Sequence, residues 1–135
     1  MKASKSIFVS LIIALLMSVS AMAQSQVKVL AVVNHADWCG ACKGNGERAQ
    51  GVFAENNREG NIHFVVNDLT SDDSKQNSAK ELTKHGLLKP MENKTKSGLV
   101  YFFDAETKEL ITEVSVAKSS EEIASAMKTA TKGLK

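Results

Sequence analysis

The sequence predicts an α/β fold: a three-layer α/β/α sandwich in the order β-α-β-α-β-β-α around a mixed four-stranded sheet. Three observations carry that reading. Four apolar runs of strand length are spaced along the chain, and the first is continuously apolar in its later part, as a strand buried on both faces is. Segments with helical spacing separate the first three runs and follow the fourth. The third and fourth runs are joined by a short polar turn that fits an antiparallel hairpin, whereas the first two are joined by a helix-length crossover that fits parallel strands.

The elements follow in order. Residues 26–34, "QVKVLAVVN", read as the first strand. "CKGNGERAQGVFAENNREG" then carries Ala49, Val52 and Phe53 at helical spacing. Gly44, Gly46 and Gly51 weaken that helix by roughly 1 kcal/mol each relative to Ala, so irregular first turns are expected. Residues 61–68, "NIHFVVND", form the second strand, with Asp68 opening a turn. "TSDDSKQNSAKELTKHGLLKP" begins with cap-type residues and ends on Gly86, an apolar pair and Pro90, a helix stop. "MENKTKSG" reads as a polar loop, and 99–103, "LVYFF", as the third strand. "DAETKE" is a turn, and 110–116, "LITEVSV", alternates as a strand with one wet face. The last helix opens with Ser119 and Glu122 in capping-box spacing, and Ile123, Ala126, Met127 and Ala130 give it an apolar stripe for the core.

The chain has 135 residues, of which 1–23 read as a secretory signal peptide and 24–135 as one domain. Lys2 and Lys5 make a positive start, and Ile7 to Met17 is an apolar core too short to span a membrane. Ala21-Met22-Ala23 has the small-x-small pattern of a cleavage site before Gln24. The signal holds two of the 17 basic residues and none of the 15 acidic ones, so the exported part is expected to be near neutral. That balance argues against nucleic acid as a partner and against a polybasic membrane-surface role. An export signal of this kind points to the periplasm or to secretion, where disulfides persist. No phosphate loop, paired carboxylates or Ser-His-Asp pattern is present, and no cofactor is called for.

The only two cysteines stand in "ADWCGACK", residues 36–43. A bridge across two residues closes a tiny loop and removes little unfolded-chain entropy, so stapling is a poor reason for the spacing. Placed after the first strand, Cys39 opens a helix, whose free N–H groups and positive dipole end favour a thiolate. The expected arrangement has Cys39 exposed at the helix start and Cys42 one turn in and partly covered. Cys39 would attack a substrate disulfide, and Cys42 would resolve the mixed disulfide. Gly40 and Ala41 allow the tight turn between them. Trp38 is either a shield and flat contact for an extended peptide or a core aromatic. Asp37 is either a proton relay or, the preferred reading, the helix cap. His35, four residues before Cys39, completes an H-x-x-x-C-x-x-C pattern that opens an alternative reading, a copper or zinc carrier or sensor using Cys39, Cys42 and His35. A structural zinc site wants a fourth ligand, which counts against it, and no metal is assigned. His63 and His85 read as isolated, ordinary residues.

"WCGACK", after a Val-rich strand and before a helix, resembles the WCxxC active site of the thioredoxin superfamily, and the element order resembles that family's minimal fold. The resemblance implies a thioredoxin-like fold and a thiol-disulfide oxidoreductase, with Cys39 as nucleophile and Cys42 as resolving thiol. It also implies protein substrates carrying disulfides or dithiols and a membrane or periplasmic redox partner. The chain departs from the family at three places. Val33 stands where thioredoxins carry a buried acid, six residues before the nucleophile. Ser97 and Gly98 stand where the family places a cis-proline before its third core strand, and Pro90 lies well upstream. Ala41 replaces the usual proline between the cysteines. A non-catalytic thioredoxin-like binding module is the remaining alternative, although such a module needs neither thiol. With no long insertion to serve as a dimerisation arm, a monomer is the default.

Overall fold

A computed structural model describes residues 27–133. The signal peptide over 1–23 and its cleavage at Ala23-Gln24 lie outside the described residues. The elements are β1 (Val29–His35), α1 (Gly40–Glu55), β2 (Ile62–Asp68), α2 (Asp72–Lys84), β3 (Leu99–Asp104), β4 (Leu110–Ser115) and α3 (Ser120–Thr131), the order expected from the sequence. The sheet runs β2-β1-β3-β4, with β1 parallel to β2 and antiparallel to β3, and β3 antiparallel to β4. The continuously apolar strand is thus an inner one, covered on both faces.

Alternation along the strands sorts the core into two layers. Val29, Ala31, Val100 and Phe102 face α1 and α3, where Ala49, Val52, Phe53, Ile123 and Met127 meet them. Leu30, Val32, Tyr101 and Phe103 face the other way, onto Leu82 of α2 and onto Leu87 and Met91. Helices on both faces of a mixed sheet make the three-layer sandwich. Met91 corrects the expectation of a plain polar loop: its buried side chain pins the connection between α2 and β3 to the second layer.

The helix ends follow from their capping residues. Ser71 accepts the Ser74 N–H at the start of α2. At its end, Leu87 N–H reaches Leu82 O and Gly86 N–H reaches Thr83 O, with Gly86 at φ +70°, a Schellman stop. Ser119 and Glu122 form the expected capping box on α3. Arg48 of α1 donates to Val116 O, Lys118 O and Ser120 Oγ and so ties α1 to the turn before α3.

Some expectations are corrected. β1 begins at Val29, with Val27 and Lys28 before it, and ends at His35, while residue 26 of the expected strand lies outside the described residues. α1 is a regular α-helix from its first turn despite its glycines, because its Ala49, Val52 and Phe53 face is buried and tertiary packing outweighs weak propensity. β4 does not alternate cleanly, for Leu110 and Ile111 are both exposed. A register shift at Phe102/Phe103 and the strand's place at the sheet edge account for that. His63 and His85 are not isolated, since their rings pack with centroids 4.9 Å apart.

Candidate active site

The C-terminal end of β1 delivers the chain to the cysteines. After His35 the chain turns at Ala36, whose carbonyl accepts the Cys39 N–H at 3.1 Å. Cys39 is the N-cap of α1, with extended backbone (φ −78°, ψ 112°), and its sulfur accepts the Cys42 N–H at 3.2 Å. The sulfur therefore fills the place a Ser or Asp oxygen takes at an ordinary N-cap. The first turn of α1 contains no acidic residue, so no carboxylate within that turn competes for the helix's positive end.

The segment entering β3 forms the other wall. Gly98 has φ +82°, its N–H donates to Asn34 O at 2.7 Å, and its carbonyl accepts the Val116 N–H at 2.9 Å. A Cβ on Gly98 would stand 3.4 Å from Ala41 Cβ and 3.6 Å from Cys39 Sγ, so the backbone passes alongside the sulfur. Ser97, the residue before Gly98, helps to lower the Cys39 thiol through its side chain. Ser97 and Gly98 thus occupy the position facing the cysteines, and every peptide bond among the described residues is trans.

Both cysteines are free thiols, and their environments separate them. Burial pushes the Cys39 thiol up, but hydrogen bonds from the Cys42 side chain, Ser97 and the backbone of Cys42 and Ala41 together outweigh it, and the net shift is downward. Cys42 is shifted upward by burial, by the hydrogen bond it shares with Cys39 and by the charge on Cys39, against a smaller opposing bond from the Ala36 backbone. Its Sγ also lies 3.9 Å from Asn34 O.

The expected exposure of Cys39 is corrected, whereas Cys42 is partly covered as expected. Cys39 is 5% exposed, whereas Cys42 is half-buried. The glycine at 98 lets the backbone close over Cys39. The flank of Cys42 meets a cavity of about 340 Å³ lined by Val33, His35, Gly46, Gln50 and Phe53 among others. Gly46 has no side chain to fill that space. Val33, at the position where the resemblance places an acid, faces the cavity, and Glu47 is the one carboxylate along it among the described residues.

The remaining candidates group beside the pair. Asp37 does not cap the helix. Cys39 does, and Asp37 stands before it with Oδ1 3.2 Å from His35 Nε2. The Asp37 N–H donates to Thr70 Oγ1 at 3.0 Å, and the Trp38 indole N–H donates to Thr70 O at 3.3 Å. Trp38 is 62% exposed and so is no core aromatic. Thr70 donates in turn to Asp68 through both its hydroxyl and its backbone N–H, and these bonds hold the Asp68 carboxyl below the usual carboxylate range. Asp68 starts a turn as expected. Gly40 and Ala41 make the first residues of α1. No three His, Cys, Asp or Glu side chains come together as a metal cluster among the described residues, and His35 is turned to Asp37.

Sequence reasoning passed over Asn34, Asn67 and Thr70. Asn34 and Asn67 are buried and paired in register between β1 and β2, with Asn67 Nδ2 donating to Asn34 Oδ1 at 2.9 Å. A signal existed: "VVNH" at 32–35 and "VVND" at 65–68 place an Asn at the same point of two parallel strands. For Thr70 there was no signal beyond a polar residue after a strand.

No protein-family model matches the chain, and no curated protein sequence does. Solved structures do match. A DsbH oxidoreductase is 16% identical, with a TM-score of 0.53 over 84% of this chain and 78% of that one. The MTB protein DsbF, solved in mixed oxidised and reduced forms, is 18% identical, with a TM-score of 0.51 over 79% and 84%. A secreted Mycobacterium tuberculosis disulfide oxidoreductase, homologous to E. coli DsbE, is 19% identical, with a TM-score of 0.50 over 78% and 84%. With its mixed sheet, its three helices and a Cys-x-x-Cys pair at the first helix start, the chain has the thioredoxin-like fold.

Proposed function

We propose that the chain is a thiol-disulfide oxidoreductase whose redox centre is the Cys39–Cys42 pair. The observation that carries this is the split of the two thiols: one lowered at a helix N-cap, the other raised one turn away. A pair separated in that way has one sulfur suited to attack and to leave and one suited to hold its proton until the mixed disulfide forms.

The Cys39 thiolate attacks one sulfur of a substrate disulfide. That S–S bond breaks, the other substrate sulfur leaves as a thiolate and takes a proton, and a mixed disulfide remains. Cys42 then loses its proton and attacks Cys39 Sγ. The substrate's second sulfur leaves, the substrate has gained two electrons, and the Cys39–Cys42 disulfide has formed. A redox partner restores the dithiol, and the steps run in reverse where the pair serves as the oxidant. Trp38 offers the flat apolar contact for an extended substrate, and the Ser97–Gly98 backbone passes beside Cys39. His35 and Asp37 tune the polar side of the site, and Gly40 and Ala41 keep the turn between the sulfurs narrow.

The substrates we infer are exported proteins, met by a monomer in the periplasm or outside the cell, with a membrane or periplasmic redox partner. The charged start, short apolar core and small-x-small site over residues 1–23 support export. A structural neighbour described as a secreted disulfide oxidoreductase points the same way. No helix among the described residues is long and apolar enough to cross a membrane.

The test is a pair of variants assayed on a protein disulfide. Cys39→Ser should lose exchange, and Cys42→Ser should accumulate mixed disulfides visible on non-reducing gels. Full exchange activity in Cys39→Ser would overturn the assignment.

A further inference from the structure

Asn34 is 0% exposed and lies within β1, five residues before Cys39. A buried amide costs free energy unless its polar atoms find partners, and here both do. Nδ2 donates to Lys94 O at 2.9 Å and to Lys96 O at 3.1 Å, and Oδ1 accepts from Asn67 Nδ2 at 2.9 Å. The Asn34 carbonyl accepts the Gly98 N–H at 2.7 Å. One residue therefore grips a polar loop at positions 94, 96 and 98, across 60 or more residues of sequence. Residues 94–98 have no helix or strand bonds of their own until β3 begins at Leu99. What the clamp holds in place is the wall of the site: the Gly98 backbone beside Cys39 Sγ, with Ser97, whose side chain helps to lower the Cys39 thiol, directly before it.

We propose that Asn34 is a positioning residue for the cysteine pair, its buried amide fixing the 94–98 loop so that Ser97 and Gly98 stand against Cys39. The inference rests on the redox reading for its importance but not for its test. The Gly98 bond to the Asn34 backbone survives substitution of the side chain, so what a variant removes is the grip on Lys94 and Lys96 and, through it, the placement of Ser97.

The experiment is a double-mutant cycle of Asn34→Leu and Ser97→Ala, read by the pH dependence of thiolate absorbance in the reduced chain and by melting temperature. Asn34→Leu should raise the midpoint of the first thiol to titrate and slow its alkylation near neutral pH by up to about tenfold, the effect of one pKa unit. In the Ser97→Ala background the same substitution should add little. A folded Asn34→Leu chain that melts lower but titrates like wild type would show a merely structural role and overturn the proposal. So would a shift left undiminished by Ser97→Ala. If Asn34→Leu does not fold, Asn67→Leu removes the donor that orients the Asn34 amide and should give a smaller shift of the same sign; no shift there overturns the proposal equally. Failure of the wild-type chain to exchange disulfides would sink the redox reading and leave the titration result standing.

Discussion

At the residue scale the site depends on how closely the backbone at Gly98 can approach a sulfur. A φ of +82° lies in the left-handed region, which strains any residue with a side chain, and an added Cβ would come into van der Waals contact with Ala41 and Cys39 Sγ. Gly98→Ala should therefore lower stability by about 1–2 kcal/mol in chemical denaturation, the usual cost of that conformation with a side chain. It should also slow alkylation of Cys39, because the added methyl stands over the sulfur. An Ala variant as stable as wild type would show that the segment moves aside freely. The two cysteines were legible in the sequence from spacing and from the strand–helix setting alone. Their relative exposure was not, because it is decided by a glycine 59 residues downstream of Cys39 and by the missing side chain at Gly46. Asp37 was misjudged for a related reason. Cap propensity favours Asp over Cys, but the turn at Ala36 puts the sulfur, not the carboxylate, within reach of the Cys42 N–H.

At the element scale α1 poses a direct question of propensity against packing. Gly44 and Gly51 sit within it with nothing within 4 Å of an added Cβ and without positive φ. Replacing either by Ala should stabilise the fold by about 0.4–1 kcal/mol, chiefly by narrowing the unfolded ensemble. The two changes lie about two turns apart and should add. Shifts in the urea midpoint measure this directly, and a loss of stability in both would mean that the helix backbone is under a constraint the contacts do not reveal. The glycines led the sequence reading to expect irregular turns, since propensity is local and the buried Ala49, Val52 and Phe53 face that overrides it is not. Where the controlling interactions are local the elements were readable. The Gly86 stop and the Ser119–Glu122 box each join residues no more than five apart. The Asn34–Asn67 pair and its hold on the 94–98 loop span three elements, and only the repeated "VVN" hinted at them.

At the scale of the whole molecule the two thiols couple redox state to stability, with opposite signs. Cys39 binds its proton less tightly in the folded chain than in the unfolded one. Between its folded pKa and the ordinary thiol value the unfolded chain carries more protons, so the stability of the reduced protein rises with pH there and then levels off. This contribution is present above the ordinary thiol value and is lost as pH falls through the folded pKa. Cys42 behaves the other way: its raised pKa means that the folded chain keeps the proton longer. That contribution is present below the ordinary thiol value and is lost as pH rises through the folded pKa. The oxidised protein has neither group, and its bridge closes a loop too short to restrict the unfolded chain much. All other titrating groups are common to both forms and cancel in the difference to first order. The melting temperature of the reduced chain minus that of the oxidised chain should therefore climb with pH, pass through a maximum near the ordinary thiol value of 9.0 and fall beyond it. Because stabilising the folded dithiol makes the disulfide a stronger oxidant, the reduction potential relative to an unstructured dithiol should be most oxidising at the same maximum. Paired thermal melts across the alkaline range read the curve. A flat difference would mean that the fold does not separate the two thiols. A difference that only climbs would leave Cys39 lowered but Cys42 unshifted, and the division of labour between the two sulfurs would lose its physical basis.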